Sequence, residues 1–310
     1  MNIGILGTGF GAYHAELYSH MTEVDEIYVF GRKPEKLQKL QEKFGVHTVT
    51  DPEEILQNDG ITLIDLCLPT ALHKEYSIRA LKQGKHVFCE TPVAYTLDDA
   101  YAMLEAKQTY GKHLMVDLFI RFEYAYELLA SYVKDHRYGA LRKIQIQRNT
   151  APIWGDLGPD KIVMDLMSHD IDYVTSLLGP TTNIQTTLVP GKEGQCAVSA
   201  LCTYEHAYAE INASSMMQYG FPFVVSFEAI FENAVVRYHE DGYETQVDTR
   251  FQLFTDKKQE NLPLPAINCY EKSLQYVLHA IHAQETPIID IKEAIQSLEM
   301  ATRIRESLAR

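Results

Sequence analysis

A glycine-rich turn near the N-terminus restricts the fold of this chain more than any other feature of its sequence. Residues 7–12 read Gly-Thr-Gly-Phe-Gly-Ala, between a short apolar run at residues 2–6 and a helix-like segment at residues 12–21. In a G-x-G-x-x-[G/A] turn the first glycine allows the tight bend, the second admits a pyrophosphate and the small third residue allows close packing. The helix N-terminus adds free N–H groups. The sequence therefore predicts a dinucleotide site built on Gly7, Thr8, Gly9, Phe10, Gly11 and Ala12.

The order of strand-like and helix-like segments predicts two domains. Apolar runs at residues 26–30, 61–68 and 86–89 alternate with helical patterns, which is typical of a parallel sheet covered on both faces. After about residue 120 strand-like runs follow one another, and helical patterns return after residue 270. We therefore predict an α/β fold with an N-terminal Rossmann domain, residues 1–119. It is followed by an α+β domain with a mostly antiparallel sheet, residues 120–310.

Composition narrows the classes of partner. The formal net charge is −14, which argues against nucleic acid and anionic membrane surfaces as main partners. No apolar run approaches the roughly 18 residues of a membrane-spanning helix, and the N-terminus lacks the features of a signal peptide. The five cysteines are odd in number and form no CxxC pair. Reduced thiols and a cytoplasmic location are therefore expected.

The end of the second predicted strand bears on the choice of dinucleotide. An acidic residue at this point would bind the ribose 2′-hydroxyl of NAD. The sequence has Gly31-Arg32-Lys33 instead, so the acid is missing and two cations stand where a 2′-phosphate would lie. Arginine can donate two hydrogen bonds to a phosphate. We predict NADP as the preferred cofactor, with NAD as the alternative, although two solvated loop cations would give the same pattern.

Three stretches of the sequence resemble the glucose–fructose oxidoreductase / inositol dehydrogenase family (Gfo/Idh/MocA). They are the segments at residues 66–73, 80–92 and 114–126, which include His-Val-Phe-Cys-Glu-Thr-Pro and Phe-Ile-Arg-Phe. The resemblance implies an NAD(P)-dependent oxidoreductase of sugars, inositols or related compounds, with a Rossmann domain and a second, open-sheet domain. It also implies that Leu68, Pro69, Thr70 and His73 line the nicotinamide side of the cofactor groove. Further cofactor-binding residues that it implies are Glu90, Thr91, Pro92 and Arg121. The second domain of the family binds substrate, and its open sheets commonly pair face to face in dimers.

Thr91 is the main departure from the family pattern. It stands where the family's Glu-Lys-Pro motif has its lysine, which lies between nicotinamide and substrate in catalytic members. Threonine carries no charge and is too short to reach the same point. Removing one group that stabilises a developing alkoxide typically costs about 3–4 kcal/mol. Lys161, one helical turn before Asp165, is a weak candidate for a replacement cation.

Asp165 and His169 match the Asp-x-x-x-His spacing of the family's substrate-side helix. Residues four apart share a face if the segment is helical, and histidine exchanges protons near neutral pH. We therefore predict catalytic roles for His169, Asp165 and Thr91, although a helix-start aspartate beside a buried histidine would look the same. No metal is expected, because no second histidine cluster completes a ligand set.

These observations favour an NADP-dependent oxidoreductase that transfers hydride to or from a sugar-like or polyol-like small molecule. Two alternatives stay open because of Thr91. One is a catalytically impaired dinucleotide-binding regulatory or sensor protein, and the other is an NADPH reductase of a non-sugar carbonyl. A homodimer or homotetramer is also expected, because the predicted second domain has too few helices to cover both faces of its sheet.

Overall fold

The computed structural model of this chain describes residues 1–283 and 286–308, which form two compact units. Unit 1 comprises residues 1–122 and 268–295, and unit 2 comprises residues 123–267 and 296–308. The helices of the described residues are α1 (Gly11–Tyr18), α2 (Pro34–Phe44), α3 (Glu53–Leu56), α4 (His73–Lys82), α5 (Leu97–Tyr110), α6 (Tyr124–Lys134), α7 (Ile162–Asp165), α8 (Ser168–Leu178), α9 (Cys269–Ala283) and α10 (Ile291–Leu308).

Strands of the described residues form two separate sheets. Those of unit 1 are β1 (Ile3–Leu6), β2 (Ile27–Phe30), β3 (His47–Val49), β4 (Leu63–Leu66), β5 (His86–Cys89) and β6 (Leu114–Val116). Those of unit 2 are β7 (Leu141–Asn149), β8 (Ile184–Pro190), β9 (Cys196–Thr203), β10 (Tyr208–Ser214), β11 (Phe223–Phe231), β12 (Val235–Gly242), β13 (Val247–Thr255) and β14 (Lys258–Asn261).

The sheet of unit 1 is parallel throughout and has the strand order β3-β2-β1-β4-β5-β6. The strand order reverses between β1 and β4, and ligands of such sheets bind in the crevice outside the carboxyl ends of the strands at this point. Parallel strands end at the same edge. The residues that directly follow the strands therefore lie along that edge: Gly7, Gly31, Cys67, Glu90 and Asp117.

Local signals in the sequence explain where several helices begin and end. The Thr96 side chain caps α5 by accepting a hydrogen bond from the Asp99 N–H at 3.2 Å. Gly45 and Gly111 adopt left-handed conformations directly after α2 and α5, which glycine does at little cost. Apart from β3, the strands of unit 1 are short, mostly apolar runs, and β1 and β4 are completely buried.

The sheet of unit 2 has the order β14-β13-β12-β11-β7-β10-β9-β8, and all its pairs are antiparallel except β7 with β10. Apolar side chains such as Ile144, Ile146 and Ile211 are buried on one face, where α7 packs on β9 and α8 on β10. The other face is lined by polar residues, among them Gln145, Gln147, Ser199, Asn212 and Arg237. Apolar side chains such as Val189 and Met217 lie beside them, so this face is mixed, whereas an apolar face was the premise of the predicted oligomer.

The predicted fold class is confirmed: a Rossmann domain is followed by a mostly antiparallel sheet. Two details differ. The sequence predicted one boundary, after residue 119, whereas unit 1 extends to residue 122 and also includes residues 268–295 because α9 packs against α1. The strand β14 was not predicted. Within residues 1–283 and 286–308, no helix combines the length and apolar content that a bilayer crossing requires.

Candidate functional site

The turn after β1 leaves open space above its middle glycine. Gly7 has φ = +121°, and a Cβ there would lie 2.3 Å from the Cys67 carbonyl oxygen. A Cβ at Gly11 would lie 2.8 Å from Cγ2 of Ile5, so this glycine allows α1 to pack closely on β1. A Cβ at Gly9, in contrast, would meet nothing within 4 Å. Beside the N-terminus of α1, this is the space that a diphosphate would need.

The turn after β2 excludes an acidic side chain. A Cβ at Gly31 would lie 2.6 Å from Cγ2 of Thr8 and 3.0 Å from Cδ2 of Leu37. The space that an acidic side chain would need at position 31 is therefore occupied by the side chains of Thr8 and Leu37. Arg32 and Lys33 follow directly and are exposed.

His73 joins the segment after β4 to the segment after β5. Its Nε2 lies 2.8 Å from the carbonyl oxygen of Leu68, and its Nδ1 lies 3.1 Å from that of Pro92. The ring is buried, and burial lowers its pKa. His73 therefore fixes the backbone of two segments along the carboxyl edge of the sheet. Pro69 is exposed and Thr70 half-buried in the loop that it holds.

Glu90 and Thr91 follow β5 and differ in what they can offer a ligand. Thr91 is half-buried, and its backbone N–H donates to Oε2 of Glu90 at 3.2 Å. The Glu90 side chain is 18% exposed. Its other oxygen, Oε1, is buried and has no hydrogen-bond partner within the described part of the chain. Thr91 thus supplies a neutral side chain next to a carboxyl group that is only partly hydrated.

Five ionisable side chains meet behind Glu90. Nδ1 of His14, on α1, lies 2.9 Å from Oδ2 of Asp65, and Nε2 of the same ring lies 3.5 Å from Oε1 of Glu90 and 3.9 Å from Oδ2 of Asp117. Cys67 Sγ donates to Oδ1 of Asp65 at 3.2 Å. We call His14, Asp65, Cys67, Glu90 and Asp117 the buried acidic cluster.

Asp117 also contacts α9. Its Oδ1 accepts a hydrogen bond from the Ser273 hydroxyl at 2.8 Å. Its Oδ2 is buried without a hydrogen-bond partner among the described residues, as is Nε2 of His14. Three unpartnered atoms, one on each of His14, Glu90 and Asp117, therefore come close together beneath the carboxyl edge of the sheet.

Burial and mutual repulsion favour the protonated forms in the cluster. Burial by itself lowers the pKa of His14, but the charge and hydrogen bond of Asp65 and the charges of Glu90 and Asp117 raise it to about 9. Burial, with the charge of Asp117, raises the pKa of Glu90 to about 8 against the effect of His14. Burial raises the pKa of Asp117 to about 6. At neutral pH the Glu90 carboxyl group is therefore mainly protonated.

Aromatic rings surround the glycine turn. Phe10 packs edge-on against Tyr13 and Tyr270, with ring centroids 5.6 and 5.0 Å away, and Phe119 stacks on Tyr270 at 4.5 Å. Arg121 has protein partners in the same unit, since it donates to the Ile288 carbonyl at 2.6 Å and pairs with Glu293 at 3.2 Å. These bonds hold Arg121 to the chain near the start of α10. Its predicted contact with the cofactor stays a prediction.

The structure separates Asp165 from His169 at a helix break in unit 2. Asp165 ends α7 and His169 is the second residue of α8, so the two are not stacked on one continuous helix face as the spacing predicted. Burial, with the charge of Arg148, lowers the pKa of His169 to about 3. Its imidazole is therefore neutral at working pH. Lys161, the weak candidate for a replacement cation, pairs with Asp156 at 3.0 Å.

Sequence reasoning did not identify His14, Asp65 or Asp117 as members of the site. A carboxylate inside the apolar strand β4 was the available signal, because a buried charge requires a partner. Which side chain would meet it depends on the packing of α1 on the sheet, and no periodicity in the sequence reports that.

Solved structures with the same fold include several oxidoreductases. One is an oxidoreductase from Agrobacterium radiobacter in complex with NAD⁺, L-tartaric acid and magnesium, with a TM-score of 0.86 and 16% identity over 100% of this chain and 96% of that one. Another is UDP-N-acetylglucosamine 3-dehydrogenase from Acidithiobacillus ferrooxidans, with a TM-score of 0.83 and 18% identity over 99% and 97% of the two chains. At this level of identity, the likeness concerns the fold alone.

Sequence relatives are more similar but align over a shorter part of the chain. Myo-inositol 2-dehydrogenase from Thermotoga maritima is 28% identical over 58% of this chain and 55% of its own length. D-Glucoside 3-dehydrogenase from Escherichia coli is 28% identical over 58% and 54%. A 4-carboxy-2-hydroxymuconate-6-semialdehyde dehydrogenase from Sphingobium is 32% identical over 42% of each chain. The chain thus spans about half the length of the curated relatives that it matches.

A family model agrees with the glycine turn and the strand order. The model for the oxidoreductase family with an NAD-binding Rossmann fold matches residues 1–118, which hold all the strands of unit 1. Through this region the chain is similar to the Gfo/Idh/MocA family of NAD-binding Rossmann oxidoreductases.

Proposed function

We propose that this protein is an NAD(P)-dependent oxidoreductase that interconverts a hydroxyl and a carbonyl group on a sugar-like or polyol-like small molecule. The observation that carries the proposal is the open space over Gly9, at the point where the strand order of the parallel sheet reverses. When bound, the dinucleotide supplies or accepts the hydride. Two of the relatives named above are an inositol dehydrogenase and a glucoside dehydrogenase, which supports the substrate class.

Different residues of the chain would bind the dinucleotide and contact the substrate. Gly7, Gly9 and the N-terminus of α1 would hold the diphosphate, and the segments that His73 fixes would orient the nicotinamide end. The neutral imidazole of His169 would accept a hydrogen bond from the substrate hydroxyl, with Asp165 binding a further hydroxyl. Thr91 would contact the substrate without contributing charge.

The preferred cofactor is NADP. Packing around Gly31 leaves no place for an acidic side chain, while Arg32 and Lys33 are exposed and available to a 2′-phosphate. Fluorescence titrations with NADPH and NADH test this preference. Arg32→Ala should weaken NADPH binding about tenfold or more and leave NADH binding unchanged. Lys39→Ala, an exposed cation on the following helix, is the matched control. Tighter binding of NADH, unaffected by Arg32→Ala, would refute it.

Two other functions follow from specific observations. Thr91 removes the family's lysine, which favours a regulatory or sensor protein that binds the dinucleotide without turnover. The semialdehyde dehydrogenase relative favours an NADPH reductase of a non-sugar carbonyl. A panel of sugars, polyols and semialdehydes, followed by NADPH absorbance, separates the three. Tight NADPH binding with no turnover on any member supports the sensor.

The cellular setting and assembly are also proposals. The five cysteines are all free thiols, which is consistent with a reducing, cytoplasmic compartment. We infer a homodimer or homotetramer from the uncovered face of the second sheet. The polar side chains on this face would make the interface more hydrated than that of an obligate oligomer. Light scattering that gives the mass of a single chain would contradict this assembly.

A further inference from the structure

The buried acidic cluster holds more negative groups than one imidazole can neutralise. Three carboxyl groups, on Asp65, Glu90 and Asp117, surround the single ring of His14. If all were ionised, two negative charges would remain in excess in a region from which water is largely excluded. Such an excess is strongly unfavourable, so the cluster must retain protons or hold a cation.

Asp65 fixes the direction in which the imidazole faces. It lies 2.9 Å from Nδ1 of His14, so Nε2 is directed toward Glu90 and Asp117. Nε2 of His14, Oε1 of Glu90 and Oδ2 of Asp117 are all buried without hydrogen-bond partners among the described residues. The His14 ring thus lies between Asp65 on one side and Glu90 and Asp117 on the other.

Glu90 is the member that can pass a proton to a ligand. His14, Asp65 and Asp117 are at most 1% exposed, whereas the Glu90 side chain is 18% exposed. Glu90 directly follows β5, at the carboxyl edge where ligands of such sheets bind. The Thr91 N–H holds its Oε2 at 3.2 Å, which fixes the carboxyl group at that edge.

We propose that Glu90 is a catalytic proton donor and acceptor of this site, which its burial beside the carboxyl groups of Asp65 and Asp117 keeps protonated, in place of the lysine absent at position 91. This inference rests on the proposed oxidoreductase function. His14, Asp65 and Asp117 are positioning residues in it, because they act through Glu90.

The proposed step balances without a further reactant. In the reductive direction the reduced dinucleotide gives a hydride to the carbonyl carbon, and the O–H bond of the Glu90 carboxyl group breaks as its proton passes to the carbonyl oxygen. The products are an alcohol, the oxidised dinucleotide and the Glu90 carboxylate. Solvent returns the proton to Glu90 through its exposed edge, and the oxidative direction reverses each transfer.

The two candidate groups of unit 2, Lys161 and His169, do not replace Glu90 in this role. Lys161 is paired with Asp156, and the neutral His169 ring carries no dissociable proton near neutral pH. The titratable and polar groups around Glu90 come from every element packed against it. They are His14 and Tyr18 of α1, Asp65 of β4, Cys67 after β4, Cys89 of β5, Asp117 after β6 and Ser273 of α9.

Infrared difference spectroscopy tests the protonation directly, without turnover. The spectrum of the wild-type protein minus that of Glu90→Gln should contain, at pH 7, the carbonyl stretch of one protonated carboxylic acid. That band should disappear as the pH is raised past 8. Glutamine keeps the acceptor for the Thr91 N–H, so the local backbone should stay in place. A difference spectrum with only carboxylate bands at pH 7 would overturn the inference.

Kinetics test the catalytic role. Glu90→Gln should lower kcat about 10²- to 10⁴-fold, with the dissociation constant of the dinucleotide unchanged. Asp117→Asn keeps the bond to Ser273 but removes a charge, so it should move the alkaline limb of the pH profile about one unit lower or more. Glu16→Gln, an exposed carboxyl of α1 paired with Lys43, is the control and should leave both unchanged.

The outcomes separate this inference from the proposed function. A wild-type protein that binds the dinucleotide but turns over no carbonyl or alcohol overturns the proposed function and the catalytic role together. Wild-type turnover that Glu90→Gln retains overturns the role of Glu90 alone. His14, Cys67 and Glu90 offer ligand atoms within 4.8 Å of one another. Stoichiometric zinc in the purified protein, lost in His14→Ala, would therefore show that a cation rather than a proton balances the charge.

Discussion

Thr91 and Glu90 are neighbours in the chain. The Thr91 side chain is neutral and too short to reach the point that a lysine would reach, whereas the buried Glu90 carboxyl group retains a proton. If Glu90 supplies the proton, a lysine at position 91 adds stabilisation of the substrate oxygen rather than restoring a lost step. We therefore predict that Thr91→Lys raises kcat about tenfold in the carbonyl-reducing direction, less than the effect of a sole donor. Steady-state rates on the best substrate of the panel measure it. Thr91→Met has similar length without charge and should give no gain; an equal gain would contradict the electrostatic reason.

His169 presents a separate prediction, because its neutral ring can act without titrating in the working range. Because His169→Ala would remove a hydrogen bond to the substrate and not the group that transfers the proton, it should lower kcat about tenfold and leave dinucleotide affinity unchanged. Since the pKa of His169 is lowered to about 3, the wild-type pH profile should lack a limb from this ring between pH 5 and 8. His206→Ala, an exposed histidine of unit 2, is the control. A limb near pH 6.5 that His169→Ala removes would disprove the neutral state.

At the residue scale, the sequence was informative where chemistry follows from spacing along the chain. The glycine turn, the cations after β2 and the missing lysine could all be read directly. The partnership of His14 with Asp65 could not, because it joins residues 51 positions apart through the packing of α1 on the sheet. For the same reason, Thr91 was recognised as a loss while the acid beside it was not recognised as a compensation.

At the scale of elements, a substitution in the turn between β1 and α1 can change dinucleotide affinity without changing the stability of the fold. A Cβ at Gly9 would enter open space, so Gly9→Val should leave the thermal midpoint almost unchanged. The same side chain would fill the space that a diphosphate needs, and affinity for both NADH and NADPH should fall about tenfold or more. Gly220→Val also enters open space and is the matched control. Unchanged affinity in Gly9→Val would place the diphosphate elsewhere.

Elements were predicted well where local signals bound them and poorly where tertiary packing decides. Helices α2 and α5 each end at a left-handed glycine, which is a signal that the sequence shows directly. The run around Asp165 has a helical pattern, yet it breaks into α7 and α8 near Leu166 and Met167. Strand β14 is a short, polar edge strand, whose sequence lacks the apolar alternation that identifies the others.

At the scale of the whole molecule, α9 shows why one boundary in the sequence does not give two compact units. The chain leaves unit 1 after residue 122 and returns with residues 268–295. Ser273 on this returning segment donates to Asp117 of the buried acidic cluster. Unit 1 therefore depends on residues far apart in the sequence, and its stability should report on the cluster.

The cluster predicts how that stability depends on pH. The pKa values of His14, Glu90 and Asp117 are raised to about 9, 8 and 6, above their ordinary values of 6.5, 4.5 and 3.8. The folded state thus holds more protons than the unfolded state between about pH 4 and 9, and by linkage the free energy of unfolding falls as the pH rises through this window. The stabilisation is fully present below the ordinary values and lost as the pH passes the folded ones.

Thermal midpoints measured from pH 4 to 9.5 test this dependence, and we expect those of the wild-type protein to fall steadily above pH 5. Each unit of raised pKa corresponds to about 1.4 kcal/mol at full effect, so the change should be readily measurable. In Glu90→Gln the largest raised carboxyl is replaced by a group that does not ionise, so its midpoint should fall less between pH 5 and 8. Glu16→Gln should follow the wild type. Equal slopes in the wild type and Glu90→Gln would mean that Glu90 is ionised in the folded protein, because only a retained proton makes its stability contribution decline with pH.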